Sequence, residues 1–210
     1  MTFDREVFFD SVRPSLFSGY IEQSQVDGME AVLEEWELDP LSDDLRWLAY
    51  CLATAYHETA KEMQPIEEYG KGDGMSYGNP DPETGQTYYG RGYVQLTWRE
   101  NYQRATDELA IEPESEEDFV WNPGKVLDPY NAAEIMFRGM AEGWFRSGNK
   151  LIKFFSEAVD DPYGAREIIN GDKHIVPSWS NGVSIGDLIA GYHRKFLDAL
   201  DAASFDQRMV

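Results

Sequence analysis

The apolar positions of this chain fall at helical spacing in several separate stretches. Along "SQVDGMEAVLEEW", Val26, Met29, Leu33 and Trp36 share one face. Ser24 followed by Asp27 predicts the start of that helix, as a capping box with Asp in the usual Glu place. Along "LSDDLRWLAYCLATAYHET", Ser42 to Asp44 supply caps, and Leu45, Leu48, Ala49, Leu52, Ala55 and Tyr56 form an apolar stripe. That stripe puts His57 and Glu58 at the C-terminal end of a buried helix. Helical patterns resume near 99–109, across 131–146, at 148–158 and at 163–169. "SIGDLIAGYHRKFLDALDAA" predicts a closing amphipathic helix with Ser184 and Asp187 at its start.

Between 64 and 92 the pattern changes. "PIEEYGKGDGMSYGNPDPETGQTYYGRG" is rich in Gly and Pro and has no helical period. Segments of this length without regular structure are either functional or disordered, and the Tyr residues favour an ordered, functional one. "GYVQLT" reads as a short strand or an extended turn. No internal repeat or low-complexity linker interrupts the chain. The pattern therefore predicts one mainly α domain over 1–210, with little β structure, wrapped around a central irregular segment.

Composition removes several classes of function. The net charge of -21 leaves no basic stripe to displace counterions from nucleic acid. It equally disfavours anionic membranes, and no window approaches the apolar length of a membrane span. The acidity sits in runs such as "EEWELDPLSDD" and "EPESEEDF", which read as solvated surface. The N-terminal stretch is acidic and broken by Pro14, with neither a basic nor a long apolar region. It is expected to lack a signal peptide, so that synthesis is cytoplasmic and export needs another route. The single cysteine, Cys51, excludes an intramolecular disulfide and is expected to pack as an inert thiol of raised pKa.

Most catalytic motifs are missing. The three histidines, His57, His174 and His193, share no metal spacing, and His57-Glu58 begins an H-E-x-x-H that fails at Lys61. No G-x-S-x-G occurs. Neither a metal nor an organic cofactor is called for. Paired carboxylates remain. Glycosidic cleavage needs one protonated carboxyl to donate to the leaving oxygen, and a second, ionised one to activate water or stabilise developing charge. Burial favours the protonated form, while a wetter, hydrogen-bonded place favours the ionised one. Glu58, ending an apolar helix, suits the first role. Glu67 or Glu68, on a Gly-rich loop, suits the second. Among 39 acidic residues such pairs are common, so the pairing alone selects nothing.

Three segments add to that reading. "AYHETA", "YYGRGYVQLTWRENY" and "REIINGD" resemble, in order, the signature segments of glycoside hydrolase family 19, which contains chitinases and lysozyme-like endolysins. The stretch from "FDREVFF" to "AVLEEW", and "MQPIEEYG", resemble the front end of phage and prophage endolysins of that family. The resemblance spans most of residues 3–200 and implies a lysozyme-like helical fold. It implies an inverting hydrolase of β-1,4 bonds in N-acetylated amino-sugar polymers, with peptidoglycan favoured and chitin as the alternative. Glu58 matches the family's general acid. Glu68 matches the second carboxylate, with Glu67 as the alternative. Gln95, Thr97, Asn101, Tyr102 and Asn170 fall at sugar-binding positions. Asp172 stands where the family often has a second Gly.

His57 is expected to pack or orient, and Arg91 and Arg166 to ion-pair with the site carboxylates. Tyr88 and Tyr89 have two readings, core or sugar platform, and Tyr89 is kept among the candidate substrate contacts. Trp98 is expected to be buried. Inversion needs room for a water, which sets the carboxyl separation at about 6.5–9.5 Å. The partner implied is a polysaccharide, met by a monomer without nucleic acid or membrane insertion. It would be reached on the cell wall after release through a separately made pore. A noncatalytic relative that only binds such polymers is the reading of another class.

Overall fold

A computed structural model describes residues 1–205. Seven α-helices carry the described fold: α1 (Arg5–Leu16), α2 (Gln23–Leu38), α3 (Leu45–Glu58), α4 (Arg99–Glu108), α5 (Pro129–Glu142), α6 (Leu151–Phe154) and α7 (Ile185–Ala203). Two small antiparallel pairs complete it. β1 (Thr2–Phe3) pairs with β4 (Ser204–Phe205), and β2 (Ile66–Glu67) pairs with β3 (Arg91–Gly92). The architecture is mainly α with little β, as the apolar periodicity predicts.

α3 is the axis of the molecule. Its residues from Leu48 to Tyr56 are buried on every side, and α7 packs along it while α1 packs on α7. A helix apolar all round is one surrounded by other elements. Asp44 caps it by accepting from Arg46 N at 3.0 Å, and Thr59 closes it. Thr59 Oγ1 donates to Ala55 O at 2.7 Å and accepts from Met63 N at 3.0 Å, so the turn after Glu58 is tied back to the helix. Burial raises the Cys51 thiol, which is the inert state expected of it.

Two cores flank the region where α3 ends. The larger gathers α1, α2, α3 and α7 with one side of α5. The smaller gathers Tyr88, Leu96, Tyr102, Phe119, Val126, Ile135 and Trp144. α5 serves both, with Ala132, Ala133 and Met136 in the first and Ile135 in the second, and Phe145 packs against each. This sharing fixes the spacing of the two cores and hence the width of the cleft between them.

Several local expectations are corrected. α2 begins at Gln23, not behind Ser24: its capping box is Glu22 with Gln25, whose side chain accepts from Glu22 N at 2.9 Å. Gln25 also donates to Lys61 O at 3.0 Å, an anchor the Ser24–Asp27 spacing does not supply. Pro14 does not break α1; it lies in the last turn, where the helix is about to end at Phe17. The pattern at 148–158 yields only the short α6, and 163–169 yields a 3-10 turn, Gly164–Ile168. Gly28 sits inside α2 because a Cβ there would come within 1.6 Å of Met63 O, where the segment after α3 crosses the helix. Among the described residues no helix is long and apolar enough to cross a membrane.

His193 on α7 is buried between Phe155 and Tyr50, with ring centroids at 5.1 and 5.8 Å. Neither of its ring nitrogens has a hydrogen-bond partner among the described residues. Burial pushes the imidazole down from 6.5 to about 4. The unfolded chain therefore binds a proton that the folded chain refuses between those values. Stability is full above about pH 6.5 and falls as pH drops towards 4, by roughly 3 kcal/mol from this residue. Urea unfolding at pH 7 and pH 4.5 should show a smaller loss for His193→Phe than for the parent chain.

Candidate active site

The cleft between the two cores is a cavity of about 390 Å³ lined by Glu58, Tyr77, Val94, Gln95, Leu96, Thr97, Trp98, Asn101, Phe145, Ile169 and Asn170. Glu58 enters it from the last turn of α3. It is ion-paired with Arg166, which is 3% exposed. Arg166 also holds Asp172 by two bonds, Nε to Oδ1 at 2.6 Å and Nη2 to Oδ2 at 3.0 Å. Burial pushes the Asp172 carboxyl up, but the hydrogen bonds and charge of Arg166 outweigh it and hold Asp172 below the usual carboxylate range. Glu58 thus lies in a charged site at the end of an apolar helix.

The β2–β3 pair backs the other wall, to which Gln95 ties it. Ile66 faces Gly92 and Glu67 faces Arg91 in register, and Glu68 N donates to Gly90 O at 2.7 Å. Successive side chains of an extended segment leave on opposite faces, so the neighbours Glu67 and Glu68 part company. Glu67 is met by Lys71 Nζ at 2.6 Å, by the Tyr89 hydroxyl at 2.5 Å and by Arg91 Nε at 3.8 Å. The bonds from Lys71 and Tyr89 hold its carboxyl below the usual range. Glu68 has a different setting. It accepts from the Tyr77 hydroxyl at 3.1 Å and from Gly90 N at 3.2 Å, and no cation pairs with it among the described residues. Tyr77 lines the cleft.

The floor is built from "GRGYVQLTWREN". Gln95 takes φ +54 and donates its amide to Ile66 O at 3.1 Å and Gly92 O at 3.3 Å, locking the β2–β3 pair beneath the cleft. Gly90 leaves room for this contact: a Cβ would stand 2.8 Å from Gln95 Oε1 and 3.3 Å from Thr97 Oγ1, so Gln95 would have to shift. Asn101 donates to Thr97 O at 2.7 Å, which turns its remaining carbonyl oxygen free for a ligand. Asn170 enters from the far side, next to Phe145 and Ile169.

Of the candidates, Glu58, Gln95, Thr97, Asn101 and Asn170 meet in one cleft, with Glu68 behind Tyr77. Tyr102 and Tyr89 do not line it. Tyr102 is wholly buried, because it follows Asn101 by a third of a helical turn and so faces the smaller core. Its hydroxyl donates to Tyr89 O at 2.8 Å and accepts from Arg91 at 2.9 Å. Tyr89 is 7% exposed and carries the Arg91 guanidinium 3.7 Å above its ring. Arg91 pairs with Glu67, not Glu68, so it supports the wall and not the cleft. His57 lies on the opposite side of the helix end. Burial lowers its imidazole first, Arg166 acts in the same direction, and Glu58 and Asp172 oppose them.

Trp98, expected to be buried, is 45% exposed at φ +76, edge-on to Tyr77 at 4.9 Å, and lines the cleft. Residues the sequence did not single out are Tyr77, Phe145 and Ile169. Their long-range placement depends on the pairing of the two cores and leaves no local signal.

Tyr102→Phe should lower unfolding free energy by about 1–3 kcal/mol, since it strips Arg91 and Tyr89 O of a buried partner. Asn101→Ala, half-exposed on the cleft side of the same helix, should leave the urea midpoint within experimental scatter of the parent. Urea titration of the two variants side by side checks this pair.

No protein-family model and no curated protein matches the sequence. Among solved structures, chitinase C from Streptomyces griseus HUT6037 is similar over 97% of this chain and 78% of its own, at TM-score 0.59 and 19% identity. A bacterial family 19 chitinase is similar over 95% of each chain, at TM-score 0.54 and 23% identity. A class IV chitinase of the same family from Zea mays is similar over 93% of this chain and 94% of its own, at TM-score 0.54 and 16% identity. The chain therefore has the fold of the family 19 chitinases, the mainly α, lysozyme-like architecture that its signature segments led us to expect.

Proposed function

We propose that this chain is a glycoside hydrolase that cleaves β-1,4 bonds of N-acetylated amino-sugar polymers with inversion. The observation that carries the reading is one carboxylate in the cleft, Glu58, and a second, Glu68, held by the cleft-lining Tyr77 and paired with no cation among the described residues. Glu67 is unsuited to activate water, because Lys71 and Tyr89 already occupy its oxygens. Glu68 keeps acceptor capacity, and Tyr77 and Gly90 N fix its direction.

Glu58 is the general acid and gives its proton to the leaving oxygen. Its carboxylate then faces Arg166, which stabilises the charge left by proton transfer. Asp172 compensates Arg166 while Glu58 is still protonated, so the buried guanidinium is never left alone. Glu68 takes a proton from a water that attacks the opposite face of the sugar. Gln95, Asn101 and Asn170 present amide groups suited to acetamido and hydroxyl groups, and Trp98 offers a ring face at the cleft mouth.

Two polymers fit this chemistry. The endolysin-like front end of the sequence favours peptidoglycan, as the substrate of a lysin that reaches the cell wall through a separately made pore. The chitinase activity named for the solved neighbours favours chitin as the second reading. Release of reducing ends from purified sacculi and from colloidal chitin, assayed in parallel, separates them. Retention on either polymer without product would mark a noncatalytic binder.

Glu58→Gln should lower kcat by about 10²–10⁴ without unfolding the chain. Glu68→Gln should do likewise, whereas Glu67→Gln should retain turnover within about tenfold. Proton NMR of the first product should show the α-anomer; β-anomer first would exclude inversion.

A further inference from the structure

A second basin of about 410 Å³ lies on the other side of the α3 terminus, lined by Tyr56, His57, Ala60, Lys61, Trp179 and Tyr192. It shares no lining residue with the cleft. The helix end divides the two: Glu58 faces the cleft and His57 the basin. None of the basin's residues is used by the chemistry proposed above.

Its walls are aromatic and held in place. Tyr56 is buried, donates its hydroxyl to Leu16 O at 2.6 Å and meets Tyr192 edge-to-face at 4.8 Å. Trp179 is 64% exposed, a large indole left to water at the rim. Yet its segment is tied down. Ser180 Oγ donates to Pro177 O at 2.8 Å and bonds Val183 O at 2.6 Å, and Ile185 N donates to Ile175 O at 2.9 Å. The opposite lip is strained: Ala60 and Lys61 hold φ +50 and +75, which non-glycine residues rarely adopt. Lys61 N donates to Tyr56 O at 2.8 Å, Gln25 bonds Lys61 O at 3.0 Å, and the Lys61 ammonium stands 5.7 Å from the centre of the Tyr56 ring. An exposed indole on a tied-down segment, beside packed tyrosines and a few polar groups, loses little order on binding.

We propose that this basin is a second binding site for the same polymer, taking one N-acetylated amino-sugar unit against Trp179 and Tyr192. The inference rests on the function proposed above. The apolar C–H face of a pyranose matches the indole, and its hydroxyls and acetamido group match the Lys61 ammonium and the His57 imidazole. A polymer repeats its unit along its length. Once one unit is in the cleft, others are presented to the basin at high effective concentration, and two weak holds act as one strong one.

The test uses the full chain carrying Glu58→Gln, so that polymer is bound and not consumed. Retention is measured on colloidal chitin and on purified sacculi, and indole N–H signals are followed by NMR as N-acetylglucosamine tetramer is added. Adding Trp179→Ala should cut retention about tenfold, Trp179→Tyr should restore most of it, and the Trp179 N–H signal should move with the sugar. Circular dichroism confirms that each variant is folded. Unchanged retention of Trp179→Ala, or an N–H signal that does not move, overturns the basin proposal while the parent's cleavage leaves the function standing. If the parent chain cleaves neither polymer and the Glu58→Gln chain is retained by neither, both proposals fall together.

Discussion

Arg166 is 3% exposed and fully charged, and the cleft is organised around its neutralisation. Desolvation works to discharge the guanidinium, but the carboxylates of Asp172 and Glu58 outweigh it and strengthen its hold on the proton. A buried cation of this kind is tolerable only with a carboxylate held against it, which Asp172 supplies through two hydrogen bonds whatever the protonation of Glu58. Glu58 arrives from α3, Arg166 from the 3-10 turn Gly164–Ile168, and Asp172 from the turn beyond Asn170. One guanidinium therefore joins the central helix to the segment that forms the far wall. The same contact sets where Glu58 and Asn170 stand relative to each other.

The near wall obeys a second constraint, the alternation of an extended strand. Because Glu67 pairs with Arg91 in register, its side chain is committed to the Lys71–Tyr89–Arg91 side. Glu68 is then committed to Tyr77. The positive φ angles of Gln95 and Trp98 are the cost of bending the following chain sharply under this wall. They persist because Gln95 is bonded to Ile66 O and Gly92 O, and Trp98 N to Tyr88 O at 2.8 Å. A side chain on Gly90 would push Gln95 off that wall, so strain, glycine and pairing form one device.

Much of this was legible in the residues. The apolar stripe from Leu45 to Tyr56 delivers Glu58 at a buried helix end, and Ser184 with Asp187 marks the start of α7, because both signals are local. The ordered character of the 64–92 segment followed from its tyrosines, and one of them, Tyr77, holds Glu68. Which tyrosine did so was not legible, since that contact spans nine residues of irregular chain. Tyr89 and Tyr102 were misplaced for a related reason. Tyr102 flanks Asn101, which lines the cleft, and only the packing of the smaller core decides which of the two turns inward; Tyr89 is drawn away by Glu67 and Arg91. Trp98 erred in the opposite direction: an indole is usually buried, but a left-handed backbone at the start of α4 turns it out. Asp172 was noted only as a departure from the family pattern, whereas it is the partner that lets Arg166 be buried.

The acidic composition acts on encounter more than on chemistry. The chain carries -21 in net charge, yet among the residues lining the cleft Glu58 alone is charged. Gln95, Asn101 and Asn170 line it with neutral amides, so the cleft itself would not repel the proposed amino-sugar chain. At physiological salt a surface charge is felt over about 8 Å. Repulsion from an anionic wall polymer is therefore a matter of approach, and it weakens as salt is added. A neutral polymer such as chitin meets no such barrier. On peptidoglycan the proposed hydrolase should gain from salt through association, up to the point where screening is complete, whereas on chitin the same salt series should leave association unchanged.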